Sequence, residues 1–299
     1  MPTLSPQHNS LVCIDSDGCV FDTMEIKQKR CIQPRIVSHW KLEPVRKYVL
    51  ETAEFVNLYS RWRGTHRFKA LLLVFDFLKE RPEVMNSGIK TPDLVELRKF
   101  VESGRPLGNA SLAAEMASAA NPELSSVLEW SNSVNKDIER IAAGVPPFPQ
   151  ALKGLARIQA NSDCVCVSQT PRKTLLREWQ AHGIDNRVSL ITGQEAGTKE
   201  SQIKTASGNK YGKNRILVIG DSPGDLAAAE SCGSCFFPIE PARENKSWRF
   251  FCEEAYERFL SGNYTPQFQQ KLVDRFKEML PSQPPWLSIK DGKKQVAGI

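Results

Sequence analysis

The sequence lacks long apolar runs and a large excess of one charge. Its most apolar stretch, FKALLLVFDFLKE, is interrupted by Asp76 and is too short to cross a bilayer, so no membrane partner is expected. The net charge of +6 comes from 40 Lys and Arg against 34 Asp and Glu. Because these charges form no basic stripe, they argue against a nucleic-acid partner but allow an anionic small molecule.

Targeting signals and a disulfide framework are also missing. The first ten residues, MPTLSPQHNS, have neither the basic nor the apolar region of a signal peptide, so we expect a cytoplasmic protein. Three of the eight cysteines, Cys13, Cys164 and Cys166, fall in apolar runs, where a reduced thiol behaves as a small hydrophobic group. The chain of 299 residues is long enough for two structural units, and its oligomeric state stays open.

Two common ligand motifs are incomplete. Cys232 and Cys235 form a CxxC, but no second CxxC or pair of histidines completes a zinc site. The stretch GQEAGTKES differs from a P-loop because its first glycine is one residue too close and Glu200 stands where Ser or Thr is needed. These absences favour structural cysteines over a zinc site and exclude nucleotide hydrolysis on a P-loop.

Five short, continuously apolar runs predict buried strands. Continuous rather than alternating apolar character is typical of a parallel sheet that is covered on both faces. Helical patterns separate the last four runs, and alternation of strand and helix predicts a doubly wound, Rossmann-like α/β core. The runs are residues 11–15, 163–168, 188–192, 215–221 and 234–239.

A long helical segment interrupts this alternation after the first strand. About 120 residues there contain three-to-four spacing of apolar residues and no convincing strand. We therefore predict an α/β core of residues 1–22 and 149–240 and an all-helical insertion of residues 23–148. Residues 241–299 are predicted to form a helical extension that packs on the core.

Polar side chains follow four of the predicted strands. Ligands of an open α/β sheet bind beyond the carboxyl ends of its strands, so these side chains are expected to converge. Clustered carboxylates repel one another, and Mg²⁺, which prefers carboxylate oxygens, would remove that cost. Acids, hydroxyls and an ammonium around one cation suit phosphoryl transfer. The residues are Asp15, Asp17, Ser168, Thr170, Lys199, Asp221 and Asp225.

Four motifs in this order resemble those of the haloacid dehalogenase-like hydrolases. They are DSDGCVFDT, VSQT, Lys199 in GTKES, and GDSPGD, and the resemblance runs from residue 11 to about residue 239. In that family, a helical cap is inserted after the first motif. The resemblance therefore implies an α/β core with an inserted cap that closes over the site.

The resemblance also implies a role for each matched residue. Asp15 would be the nucleophile that forms an aspartyl-phosphate. Asp17 would protonate the leaving group and activate water, and its backbone carbonyl would help to bind Mg²⁺. Ser168 and Lys199 would hold the phosphoryl group, with Thr170 beside them; Lys204 is an alternative to Lys199. Asp221 would bind Mg²⁺ directly, and Asp225 would support it directly, through water or through Lys199.

These roles predict a Mg²⁺-dependent phosphatase that acts on a small phosphorylated metabolite. The second acid, Asp17, is typical of phosphatases and phosphomutases and disfavours carbon–halogen cleavage. A phosphomutase stays open as an alternative. So does a non-catalytic or regulatory protein that binds a phosphorylated ligand, although such a protein would not need both Asp15 and Asp17.

Substrate choice is predicted to lie in the insertion. The stretch NLYSRWRGTHRF, residues 57–68, places Arg61, Arg63, His66 and Arg67 around Trp62. Arginine suits bidentate recognition of phosphate or carboxylate, which predicts an anion-binding loop. The alternative is a solvated basic loop.

Overall fold

A computed structural model of the chain describes residues 4–118, 120–141, 144–212 and 214–287. These residues form two compact units. The first, here called the sheet unit, contains the described chain up to Glu25 and from residue 144 to Met279. The second, the helical unit, contains Ile26 to residue 141 and residues 280–287.

The described elements alternate as the sequence predicts. The strands are β1 (Leu11–Ile14), β2 (Asp163–Val167), β3 (Leu190–Thr192), β4 (Ile216–Gly220) and β5 (Cys235–Pro238). The α-helices are α1 (Thr23–Lys27), α2 (Gln33–His39), α3 (Arg46–Leu58), α4 (Arg67–Lys79), α5 (Pro82–Met85), α6 (Val95–Glu102), α7 (Asn109–Ser118), α8 (Pro122–Ile141), α9 (Pro149–Asn161), α10 (Arg172–Ala181), α11 (Lys199–Ser207), α12 (Pro223–Ser231), α13 (Glu244–Phe250), α14 (Tyr256–Leu260) and α15 (Pro266–Glu278). Single π-helical turns cover Gln28–Ile32 and Phe251–Ala255.

The five strands form one parallel sheet in the order β3-β2-β1-β4-β5. The chain moves outward from β1 to β3, returns past β1 to β4, and then moves outward again to β5. Right-handed crossovers put the helices of these two halves on opposite faces of the sheet. The prediction of a doubly wound α/β core is confirmed, and its topological switch point lies between β1 and β4.

Burial explains why the strands are apolar without alternation. Every residue of β1 and β2 is buried, because helices cover both faces of the sheet. Trp179 of α10 and Trp248 of α13 are fully buried in the core of the sheet unit. The Trp248 indole N–H donates to the Cys19 carbonyl oxygen at 2.8 Å, so the large ring is buried without an unpaired donor.

The helical unit has its own core. The apolar stretch around residues 67–79 forms α4, which buries Phe68, Leu71 and Phe75 beside Trp130 of α8. In the described residues of this unit, the regular structure is helical throughout, which confirms the all-helical insertion. None of the helices in the described ranges combines the length and apolar character needed to cross a bilayer.

The C-terminal part divides between the two units. Helices α13–α15 belong to the sheet unit, whereas residues 280–287 group with the helical unit and not with the core as the sequence suggested. The reason is Trp286, whose ring lies 5.6 Å from that of Phe55 and 4.3 Å from the Arg81 guanidinium carbon. Residues 288–299 of the predicted extension lie outside the described residues.

Candidate active site

The carboxyl ends of β1 and β4 carry two aspartates side by side. Asp15 follows β1, and its backbone N–H donates to the Ile219 carbonyl oxygen at 2.9 Å, which continues the ladder between the strands. Asp221 follows β4 directly and is fully buried, while Asp15 is only 7% exposed. Both carboxyls therefore lie at the switch point, where open α/β sheets bind their ligands.

A third carboxyl, from α12, completes an acidic cluster. Asp15, Asp221 and Asp225 each offer one oxygen, and these oxygens all lie within 4.8 Å of one another. Burial raises the pKa of Asp15 to about 8; Lys199 opposes this rise, and Asp225 and Asp221 add to it. The sheet thus holds together carboxyl groups that would separate in water.

Lys199 is the cation of this cluster. Its ammonium lies 2.8 Å from Asp15 Oδ2 and 2.5 Å from Asp225 Oδ1. Burial favours the neutral amine, but Asp15 and Asp225 outweigh it, so the pKa of Lys199 is raised. The alternative, Lys204, has a side chain that is 59% exposed and pairs with Glu200. Of the two lysines, Lys199 is therefore the one that meets the carboxylates.

Asp225 is fixed by the start of its own helix. Ser222 is the N-cap of α12 and accepts from the Asp225 N–H, while the Asp225 carboxylate accepts from the Ser222 N–H at 3.1 Å in a capping box. The helix approaches β4 so closely that a Cβ on Gly220 would lie 2.3 Å from Asp225 Cγ. Only a residue without a side chain at position 220 therefore allows the Asp225 carboxylate to lie here.

Asp17 lies beside the cluster and is held by two hydroxyls. Thr170 Oγ1 donates to Asp17 Oδ2 at 2.7 Å, and Thr23 Oγ1 donates to Asp17 Oδ1. Gly18, with φ of 75°, turns the chain directly after Asp17. The structure therefore brings Thr170 to Asp17, two residues that the sequence placed in one site. Thr23 was missed, because a threonine six residues after an acid has no recognisable pattern.

Ser168 directly follows β2, the strand that neighbours β1 in the sheet. The side chain is buried, and its Oγ accepts from the Thr170 N–H at 3.2 Å. Its backbone carbonyl oxygen accepts from Gln202 at 3.0 Å. Gln202 was also missed by the sequence analysis, although a glutamine one turn after Lys199 on α11 was an available signal.

The carboxylates suit a hard divalent cation. The buried Asp15 Oδ1 has no hydrogen-bond partner among the described residues, so one lone-pair-bearing oxygen is available to a ligand. The Lys199 ammonium pairs with two of the three carboxylates, those of Asp15 and Asp225, and a divalent ion would balance the remaining negative charge when all three are ionised. Asp15, through this oxygen, and Asp221, in the same cluster, would hold such an ion. The Asp225 carboxylate pairs with Lys199 and accepts from Ser222.

The CxxC cysteines take no part in this cluster. Among the described residues, the side chains that are close enough together to hold a metal are those of Asp15, Asp221 and Asp225, and neither cysteine belongs to this group. Cys235 is buried in β5, and the Cys232 thiol donates to the Glu200 carbonyl oxygen at 3.7 Å. Both behave as structural thiols.

The basic loop of the helical unit uses much of its charge internally. Arg63 is only 3% exposed, and its Nη1 donates to the Leu58 carbonyl oxygen at 2.9 Å. Arg67 Nη1 donates to Asn135 Oδ1 at 2.6 Å and to Ser131 on α8. These two arginines thus join the loop to the rest of the helical unit.

The other two members of the loop differ in exposure. His66 is the N-cap of α4 and accepts from the Phe68 N–H. Burial lowers the pKa of His66 to about 4, and the positive charges of Arg67 and Lys69 add to the effect. Arg61 is exposed. A role for this loop in substrate recognition stays a prediction.

Comparison with known proteins gives likenesses of fold. No protein-family model matches the sequence, and a search of curated protein sequences found no match either. Among solved structures, a haloacid dehalogenase-like hydrolase from Streptococcus pneumoniae is 16% identical, with a TM-score of 0.42 over 80% of this chain and 90% of that one. A haloacid dehalogenase-like family hydrolase from Xanthomonas campestris is 12% identical, with a TM-score of 0.44 over 89% and 97%.

A third solved structure is that of a predicted phosphoglycolate phosphatase from Haemophilus somnus. It is 15% identical to this chain, with a TM-score of 0.45 over 79% of this chain and 91% of that one.

Proposed function

We propose that the protein is a Mg²⁺-dependent phosphatase that hydrolyses a small phosphorylated metabolite through an aspartyl-phosphate on Asp15. The observation that carries the proposal is the buried cluster at the switch point, in which Asp15 lies against Lys199 and beside Asp221 and Asp225. A nucleophilic carboxylate, a fixed ammonium and oxygen ligands for a divalent cation are the parts that phosphoryl transfer requires.

The residues divide the reaction between them. Asp15 attacks the phosphorus atom through a carboxylate oxygen and displaces the leaving oxygen, to which Asp17 gives a proton. Asp17 then takes a proton from water, which attacks the aspartyl-phosphate and releases inorganic phosphate with Asp15 restored. Thr23 and Thr170 orient the Asp17 carboxyl for both proton transfers through their hydrogen bonds to its two oxygens.

Charge on the phosphoryl group is met by neighbouring groups. Lys199 pairs with phosphoryl oxygens, and the Ser168 hydroxyl donates to one of them. Asp15, the Asp17 backbone carbonyl and Asp221 would hold Mg²⁺, with Asp225 in support. When bound, the ion supplies charge neutralisation for the carboxylates and the phosphoryl oxygens.

We further propose that the enzyme is cytoplasmic. Cys13, Cys164 and Cys166 are buried in the strands, where a reduced thiol behaves as a small hydrophobic group, and the cytoplasm keeps thiols reduced. We also propose a small soluble metabolite, rather than a nucleic acid or a membrane, as its partner.

The test is a hydrolysis assay with a panel of phosphorylated metabolites and a generic aryl phosphate. The wild-type protein should release phosphate with Mg²⁺, lose activity in EDTA and regain it when Mg²⁺ is added back. Asp15→Asn removes the attacking oxygen, so kcat should fall by at least about 100-fold, which corresponds to about 3 kcal/mol of transition-state stabilisation.

A matched control is available on the same sheet. Asp163 is a buried aspartate at the amino end of β2, where it accepts from the Gln7 and His8 N–H groups and from Tyr211. Asp163→Asn should keep kcat near the wild-type value. Full activity of Asp15→Asn, or binding of phosphate esters without turnover by the wild type, would contradict the proposed enzyme. The second result would favour a regulatory binding protein.

A further inference from the structure

The amide of Gln202 lies between two loops of the candidate site. Gln202 is on α11, one turn after Lys199, and is 1% exposed. Its Nε2 lies within hydrogen-bond distance of three backbone carbonyl oxygens: that of Ser168 at 3.0 Å, that of Gly193 at 3.2 Å and that of Gly197 at 3.0 Å. One buried side chain therefore bridges the end of β2 and the loop that follows β3.

The amide is also held from its other side. Thr192, the last residue of β3, has its Oγ1 2.7 Å from Gln202 Oε1 and 2.7 Å from the Cys166 carbonyl oxygen. Three carbonyls on one side require the donor end of the amide there, which leaves Oε1 facing the Thr192 hydroxyl. The three carbonyl oxygens thus set the orientation of the Gln202 amide, and the Thr192 hydroxyl lies against its oxygen.

The two bridged loops carry the groups that contact the phosphoryl oxygens in the proposed reaction. Ser168 stands on the first loop, and the second loop runs through Gly193 and Gly197 into Lys199, the first residue of α11. The loops also approach each other closely, since a Cβ on Gly193 would lie 2.6 Å from the Thr170 carbonyl oxygen. Their spacing sets the distance between the Ser168 hydroxyl and the Lys199 ammonium.

We propose that Gln202 is a positioning residue that fixes the Ser168 hydroxyl relative to the Lys199 ammonium and so shapes the pocket for the phosphoryl group. This inference rests on the proposed function. Gln202 touches no reacting atom; it acts through the backbone of Ser168 and of the loop before Lys199. Exposed Gln169, whose Nε2 donates to the Gly197 carbonyl oxygen at 3.0 Å, adds only a peripheral bridge between the same loops.

The test compares two variants that each lose one buried polar group. One group lies at the site, and the other lies at the amino end of the strands, away from the site. Gln202→Met keeps the side-chain length and removes the donor to the three carbonyls. Ser162→Ala is the matched control, because Ser162 precedes β2 and its hydroxyl shares buried 2.7 Å hydrogen bonds with Ser10 and Tyr256. Melting temperature, kcat and KM for an aryl phosphate, and the inhibition constant of inorganic phosphate are measured with Mg²⁺ for each.

Both variants should lose stability, but only one should lose phosphate recognition. Gln202→Met should weaken inhibition by phosphate and lower kcat, each by at least about tenfold, whereas Ser162→Ala should stay within about twofold of wild type in both. The proposal is overturned if folded Gln202→Met stays within about twofold of wild type in both quantities, or if the two variants lose phosphate affinity equally.

Two further arms keep the test decisive. If Gln202→Met does not fold, inhibition by phosphate is measured in Thr192→Val instead. This substitution removes only the hydroxyl that faces Gln202 Oε1. Weaker phosphate inhibition than in Ser162→Ala supports the proposal, and unchanged inhibition overturns it. If the wild-type protein hydrolyses no ester, the proposed function fails on its own, and calorimetric binding of inorganic phosphate to the same variants still decides the role of Gln202.

Discussion

The Asp15 carboxyl follows a strand in which every residue is buried, and it shares its surroundings with Asp221, Asp225 and the Lys199 ammonium. Burial disfavours the charged carboxylate, and the balance of the neighbouring charges leaves the pKa of Asp15 at about 8. Without a divalent ion, this raised pKa favours the protonated carboxyl at neutral pH. Asp15 and Asp221 would hold such an ion, whose charge would favour the ionised, nucleophilic carboxylate.

The stability of the metal-free protein should decrease as pH rises. Between the ordinary Asp value of 3.8 and about 8, the folded state holds a proton on Asp15 that the unfolded state has lost. The free energy of unfolding should therefore fall with increasing pH in this window, by at most about 1.4 kcal/mol per pH unit, and level off above it. Urea denaturation in EDTA at several pH values measures this slope.

Asp15→Asn is the control for this titration. The variant cannot gain or lose the proton, so its unfolding free energy should vary less with pH than that of the wild type over the same window. Parallel pH profiles for the two proteins would show that Asp15 is not the group responsible.

Gly220 illustrates how one missing side chain positions a carboxylate. Gly220→Ala would place a Cβ 2.3 Å from Asp225 Cγ, so the Asp225 carboxylate should be displaced from Lys199 and from the start of α12. We expect a loss of about 1–3 kcal/mol in the free energy of unfolding. We also expect kcat to fall by at least about tenfold.

Gly224, in the first turn of α12, supplies the comparison. A Cβ there would meet only Ser222 Oγ, at an ordinary 3.5 Å, so Gly224→Ala should retain stability and kcat. Denaturation and steady-state assays of both variants measure the difference. Equal activities would mean that the position of Asp225 does not matter for turnover.

At the scale of elements, the segment after α15 has a defined place in the helical unit. The Arg61 N–H donates to the Pro281 carbonyl oxygen at 3.2 Å, and Trp286 lies against Phe55. Arg81, which is 4% exposed, has its guanidinium between the rings of Trp286 and Tyr48, at 4.3 and 4.7 Å from their centroids. These contacts make the segment part of the core of the helical unit.

Trp286→Ala should therefore destabilise the helical unit. Loss of the ring contact with Phe55 and of the cation–π contact with Arg81 should cost about 1–3 kcal/mol. Hydrogen exchange should show reduced protection in α3 and α4, where Phe55 and the neighbouring core residues lie. Trp286→Phe, which keeps an aromatic ring, should lose less; unchanged protection in Trp286→Ala would show that the segment contributes nothing to the unit.

At the scale of the whole molecule, the sheet was predictable because it rests on local patterns. Buried parallel strands require continuous apolar runs, and the five runs predicted all five strands of the described sheet. The site residues that directly follow a strand could be predicted as well. The residues after β1 and β4, Asp15 and Asp221, meet because parallel strands end at one edge of the sheet.

Contacts between distant side chains could not be predicted in this way. Arg67 looked available for a ligand, but its partner Asn135 lies on another helix of the same unit. Gln202 reaches Ser168 across 34 residues of sequence, and Trp286 finds Arg81 without any periodic pattern around it. Such pairings depend on how the elements pack, which no local spacing encodes.

The phosphoryl group that we propose on Asp15 can be trapped and detected. Asp17→Asn keeps the attacking carboxylate but lacks the group that protonates the leaving oxygen and activates water. With an aryl phosphate, whose leaving group departs without a proton, the intermediate should therefore form and accumulate. Asp17→Asn is incubated with Mg²⁺ and an aryl phosphate that the wild type hydrolyses, and the reaction is quenched with acid. Peptide mass spectrometry should then find one phosphoryl group on Asp15, and none at this position in Asp15→Asn. The proposed mechanism would be contradicted if the wild type turns over the ester but neither it nor Asp17→Asn carries a phosphoryl group on Asp15. A phosphoryl group on another residue, such as Ser168, would contradict it as well.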